Sequence, residues 1–144
     1  MFEICVLTEQ SENETAKIGC GQITIGSFRE KFEIVFEYWS SKQYEQQWRE
    51  AIERVINNRN TSCLVTSITD PASANSIFLW PMYPVDNMIA IQNHLLFMDD
   101  LSEPFDPSDP YRFVRPREIL SDEGGRISEW LTTFEEMRAW LNST

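Results

Sequence analysis

Apolar and polar positions along the chain alternate with a period of two in several stretches and recur at helical spacing in two others. Residues 1–8 read as a first strand, and the polar run QSENETAK after it reads as loop. In residues 22–25 Ile23 and Ile25 share a face, and Gly26-Ser27 supply a turn. From Phe32 onward Phe32, Ile34, Phe36 and Tyr38 alternate with Glu33, Val35 and Glu37, the period of a half-buried strand. These two segments are expected to form a hairpin. Ser40 followed by Gln43 then matches a capping box, in which side chains satisfy backbone N–H groups left free at a helix start. Tyr44, Trp48, Ala51, Ile52, Val55 and Ile56 make one apolar stripe, with Glu45, Gln46, Arg49, Glu50 and Glu53 on the opposite face and Asn57-Asn58 as a stop.

Three further strands are expected at residues 62–68, 76–83 and 88–98. The first is rich in β-branched residues and ends at Asp70-Pro71, where proline disfavours continuation. Asp86-Asn87 is placed to turn a hairpin between the second and third. The third is interrupted by the polar trio Gln92, Asn93 and His94. The run MDDLSEPFDPSDPYRF that follows is too proline-rich for a helix or a central strand. Gly124-Gly125 then turn into a short strand over residues 126–131. Thr133 with Glu136 repeats the capping-box pattern, and Phe134, Met137, Trp140 and Leu141 line a C-terminal helix. No repeat or shift in composition divides residues 1–144, so one domain is expected. The fold class is α+β: a mostly antiparallel sheet with one helix in the N-terminal half and one at the C-terminus packed on it.

Charge narrows the partners. The chain carries 23 Asp and Glu against 12 Lys and Arg, a formal net charge of −11. Binding to nucleic acid depends on cations that neutralise phosphate, and anionic membranes select the same residues, so neither partner is expected. A basic protein partner is favoured, because complementary fields speed encounter, although acidity also serves plain solubility. Cys5, Cys20 and Cys63 are odd in number and show no CxxC spacing, which points to a reducing, cytoplasmic home. The start MFEICVLTEQ reads as neither a signal peptide nor a membrane span.

Little in the chain suggests catalysis or metal. His94 is the only histidine, no GxSxG elbow occurs, and Cys63 beside Leu64 and Val65 reads as a core residue. Clustered Cys and His ligands for zinc are absent from the sequence, and the acidic positions do not match a calcium-binding loop. No catalytic residue, metal or cofactor is therefore assigned. The segment with most chemistry is the loop over residues 99–111. Asp99, Asp100, Glu103, Asp106 and Asp109 surround Phe105 there, and Pro104, Pro107 and Pro110 restrict the backbone. Restricted carboxylates around an aromatic can engage Lys and Arg of a cationic cleft with little entropy lost. The bland alternative is a solvated loop that Phe105 and Tyr111 pin to the core. Glu45, Glu50 and Glu53 on the first helix form a second candidate surface, unless they are only a solvated face.

The run ITIGSFREKFEIVFEYWSSKQYEQQWREAIERV, the Asp70-Pro71 exit, FLWPMY, IQNHLLF, PFDPSDPYRFVRPRE and GRISEW, in this order, resemble a family of immunity proteins of bacterial contact-dependent growth inhibition systems. Trp39, Trp48, Trp80-Pro81, Gln92-Asn93 and Pro110-Tyr111 carry much of the likeness, which spans residues 18–141. The resemblance implies a non-enzymatic protein that binds, in the cytoplasm, the C-terminal toxin domain delivered by a neighbouring cell. Toxins of these systems are often nucleases, and a basic RNA-cleaving toxin is the expected partner. Two readings of other classes stand beside it: an acidic adaptor without a toxin partner, and a small hydrolase using His94.

Overall fold

The structure, a computed structural model, describes residues 1–8 and 17–144, so the loop expected after the first strand lies outside the described residues but for Lys17. Strand β1 (Phe2–Thr8) pairs antiparallel with β2 (Ile18–Ile25), and β2 with β3 (Phe28–Val35). The β2–β3 hairpin turns at Gly26-Ser27, where Gly26 has a φ of 63° that an L side chain resists. Both strands are longer than the alternation suggests. The register Ile25↔Phe28 carries the polar Arg29, Glu30 and Lys31 into the ladder, because backbone pairing does not require apolar side chains. At the other end the alternation outlasts β3: Tyr38 is exposed and stacks on Trp39.

Helix α1 (Ser41–Asn58) begins with the expected capping box. Ser40 Oγ accepts from the Gln43 N–H at 3.3 Å, and Gln43 Oε1 accepts from the Ser40 N–H at 2.9 Å. The helix ends where Arg59 turns left-handed, with φ 53°. All six residues of the apolar stripe are buried, and Gln47 is buried with them.

The second sheet contains β4 (Ser62–Ser67), β5 (Ser76–Val85), β6 (Met88–Ile91), β7 (His94–Phe97) and β8 (Trp130–Thr133), in the order β4-β5-β6-β8 with β7 also on β5. The single strand expected over residues 88–98 is thus two. They keep one register against β5, Met82↔Ile91 and Leu79↔His94, and the break at Gln92-Asn93 falls opposite Trp80-Pro81. Proline has no N–H to donate to the ladder, so the pairing lapses there, although the Gln92 N–H still reaches the Pro81 carbonyl at 3.1 Å. The strand expected at residues 126–131 is displaced. Arg126 makes only an isolated bridge to Leu120, and β8 starts at Trp130, opposite Ile91, because β6 ends there and offers no earlier partner.

Strand β8 runs straight into α2 (Phe134–Ser143). Only half of the second capping box forms. The Thr133 hydroxyl accepts from the Glu136 N–H at 3.1 Å, but the Glu136 carboxylate turns to the Thr132 hydroxyl at 2.7 Å. The result is an α+β fold of mostly antiparallel strands with one helix in the N-terminal half and one at the C-terminus.

Helix α1 lies along the free edge of β4 and satisfies it with side chains. Gln47 Nε2 donates to the Cys63 carbonyl at 2.9 Å while Gln47 Oε1 accepts from the Val65 N–H at 2.8 Å. Trp48 Nε1 donates to the Val65 carbonyl at 2.7 Å, and Tyr44 Oη accepts from the Ile68 N–H at 2.9 Å. A strand edge that would otherwise recruit another chain is closed in this way. Burial pushes the Tyr44 phenol up to about 12, so it remains a neutral donor and acceptor. Rings join the remaining elements: Phe28 of β3 stacks on Trp130 of β8, Phe32 meets Trp48 edge-on, and Phe2 meets Trp140 edge-on.

Candidate functional site

The proline-rich segment wraps the second sheet with its aromatics inward. Phe105, Tyr111 and Phe113 are buried, and the Phe105 and Phe113 rings lie 4.9 Å apart. Phe105, a candidate contact residue on sequence grounds, is therefore a plug between loop and sheet. Three of the five carboxylates around it converge on one cation. Arg112 reaches Glu103 at 2.8 Å, Asp109 at 3.2 Å and Asp106 at 3.3 Å, while Arg115 reaches Asp100 at 3.3 Å. Hydrogen bonds from Ser108 and the Arg112 guanidinium hold the Asp106 carboxyl below its ordinary range. Glu103 and Asp109 in turn hold Arg112 above its own. Arg112 and Arg115 thus offset two of the five carboxylate charges of residues 99–111. Asp99 is exposed, with no ion pair among the described residues. The arginines that do this stand in the same PYRFVRPRE run, but sequence spacing does not say which carboxylates they face.

On α1 the candidates Glu45, Glu50 and Glu53 are all exposed, with Glu53 4.0 Å from Arg49. Glu50 lines a crevice between α1 and the loop whose floor is Tyr111. Tyr111 Oη is buried beside Gln47 and Glu50 without a hydrogen bond of good geometry, and burial pushes its phenol up. Arg54 stacks over the Tyr111 ring at 4.8 Å. The structure thus brings Glu50 next to the proline-rich loop, which places the two candidate surfaces side by side.

Two residues of the polar trio expected in the third strand, Gln92 and His94, have a structural occupation. Gln92 is buried, and its Nε2 donates to the Glu118 carbonyl at 3.0 Å and to Glu129 Oε2 at 2.8 Å. Glu129 also holds Arg117 at 2.6 Å. His94 Nε2 lies 2.8 Å from Gln92 Oε1. Burial, then Arg115, lowers the His94 pKa, with Glu118 opposing. Gln92, with His94 on its amide oxygen, thereby ties Glu118 and Glu129 to the junction of β6 and β7. Among the described residues no group of three or more His, Cys, Asp or Glu is arranged to hold a metal ion. No helix among them is long and apolar enough to cross a membrane. Cys63 is buried, and burial pushes its thiol up, away from the reactive thiolate.

One surface feature was not legible in the alternation. Phe78, Leu95 and Phe97 are large apolar residues left open on one face of the second sheet. Beside them a cleft of about 380 Å³ separates β3 from β5, with Glu30, Phe32, Phe78 and Trp80 on its walls.

Residues 34–140 match the family described as the CdiI N-terminal domain. The chain belongs to this family of immunity proteins. A curated relative, "Immunity protein CdiI" of Enterobacter cloacae subsp. cloacae, is 27% identical over 143 residues, which span 99% of this chain and 98% of that protein. Among solved structures, a chain of the "CdiA-CT/CdiI toxin and immunity complex from Enterobacter cloacae" superposes with a TM-score of 0.88 at 26% identity, covering 99% of this chain and 97% of that one. The likeness therefore includes the N-terminal strand that precedes the family match. It belongs to the immunity protein of a contact-dependent growth inhibition pair, the family expected from the sequence motifs.

Proposed function

We propose that the chain binds the C-terminal toxin domain of its own contact-dependent growth inhibition system, in the cytoplasm, and neutralises it by forming a tight one-to-one complex. The observation that carries this reading is the likeness over nearly the whole chain to an immunity protein from a toxin and immunity complex. The inhibitor acts by occupancy and performs no catalysis of its own. The toxin is a basic, RNA-cleaving nuclease in this reading, supported by the net charge of −11, since a cleft that attracts phosphate also attracts an acidic protein. Asp99 and the glutamates Glu45, Glu50 and Glu53 contribute to the field that steers the toxin in. Nucleic acid and membrane are not partners in this scheme.

The deciding experiment is calorimetric titration of the chain into the catalytically inactivated toxin domain encoded beside it, at low and high salt. Tight one-to-one binding that weakens with salt is expected. Absence of binding at either salt would remove the immunity reading. A His94→Ala variant is expected to protect cells as well as the parent, because Gln92 rather than a substrate occupies the ring nitrogen.

A further inference from the structure

Three large apolar side chains remain open where the first sheet stops short of covering the second. Phe78 and Leu95 are direct cross-strand partners, and Phe97 stands opposite Ser76 on the same face. They are 49%, 39% and 49% exposed, respectively. Trp80, two residues from Phe78 along that face, is buried against Phe28 and Trp130. One end of the face is thus covered by the side chains of Phe28 and Trp130, and the other opens into the β3–β5 cleft. The far wall of the cleft carries Phe32 and Glu30 from one face of β3; Glu33, which also borders the cleft, alternates with Arg29 and Lys31 to the opposite face. No ion pair among the described residues reaches Glu30 or Glu33, whereas Glu103, Asp106 and Asp109 share Arg112.

Aromatic residues in a desolvating recess, ringed by polar groups, are what concentrates binding energy at protein interfaces. A second copy of this chain is a poor occupant, because each copy carries −11 and would set like carboxylates against one another. The rim calls for a cationic partner. We propose that this face is the docking site of the toxin domain. An apolar side chain of the toxin, flanked by Lys or Arg, enters the cleft against Phe32 and Phe78, beside the open Leu95 and Phe97, and Glu30 on the wall and Glu33 at the border meet the flanking cations. The proposal rests on the immunity reading and adds the surface that performs it. Steering belongs to the whole acidic field, and anchoring belongs to this face.

The test compares binding of the inactivated toxin domain by the parent, by Phe78→Thr/Leu95→Thr/Phe97→Thr, and by Glu30→Gln/Glu33→Gln. The triple variant keeps strand-forming residues and is expected to melt as a folded protein while binding about 100-fold more weakly. The glutamine pair is expected to associate more slowly at low salt and to match the parent at high salt. Parent-like affinity of a folded triple variant would overturn the docking site. If that variant does not fold, the glutamine pair decides, and unchanged low-salt association overturns it. Self-association of the parent that the triple variant abolishes, seen by sedimentation, would assign the face to a second copy and equally overturn it. Failure of the parent itself to bind would remove the immunity reading and the docking site together, an outcome distinct from loss of the docking site alone.

Discussion

Phe28 stacks on Trp130 with ring centroids 4.0 Å apart and planes 18° from parallel, and this pair joins the first sheet to the last strand of the second. Trp80 completes the cluster, 6.4 Å from Phe28 and 5.7 Å from Trp130. The stack also ends the roof over Trp80, and beyond it the face that carries Phe78 lies open. Stability and the candidate docking surface therefore meet at one boundary.

Phe28→Ala and Trp130→Ala are each expected to destabilise the fold, and a double-mutant cycle in urea should give a coupling of about 1 kcal/mol, as for stacked aromatic pairs. Strict additivity would mean that each ring merely fills space.

Gln47 replaces a neighbouring strand for β4, serving both the Cys63 carbonyl and the Val65 N–H. Gln47→Ala leaves these backbone groups without their partner in a buried setting and is expected to cost about 3 kcal/mol in chemical denaturation. Exposed Gln46→Ala, one residue earlier on the solvent face, should change stability by less than about 0.5 kcal/mol.

The Glu129 carboxylate is held below its ordinary value of 4.5, first by Arg117 and then by Gln92. A depressed folded-state pKa means that this stabilisation is complete above the unfolded value and is lost as pH falls through the folded one. Glu129→Gln is expected to lose about 1–2 kcal/mol at pH 7, as for a charge-assisted hydrogen bond, and the gap from the parent should close on acidification below about pH 4. A gap that persists in acid would show that shape, not charge, holds residues 115–129.

Arg112 gathers three carboxylates, but all four groups are well exposed. Arg112→Ala is therefore expected to leave the melting temperature nearly unchanged. Its larger effect should be on order: hydrogen exchange of the amides at residues 106–113 is expected to quicken, because the released carboxylates repel one another. Unchanged exchange would mean that Phe105 and Phe113 alone hold the loop.

Local patterning along the chain carried the hairpin at Gly26-Ser27, the Ser40 and Gln43 capping box, the α1 stripe and the Asp86-Asn87 turn, since each depends on neighbours within a few residues. It also carried the family motifs and the net charge, which together point to an acidic immunity protein. The division of residues 88–98 into β6 and β7 depended instead on Pro81 in a different strand, and the start of β8 depended on where β6 ends. The candidate site shows the same division. Acidic residues were legible as charge, yet only tertiary structure decided that Glu103, Asp106 and Asp109 share Arg112 while Glu30 stays without an ion pair on the wall of a cleft. Phe78 and Phe105 look alike as apolar letters, but one lies beyond the reach of the first sheet and the other is folded beneath a loop. The sequence alone determined which residues can form each element and the sign of the protein's field. Which side chains are covered was left to the packing of elements distant in the chain, because exposure is a property of what lies opposite.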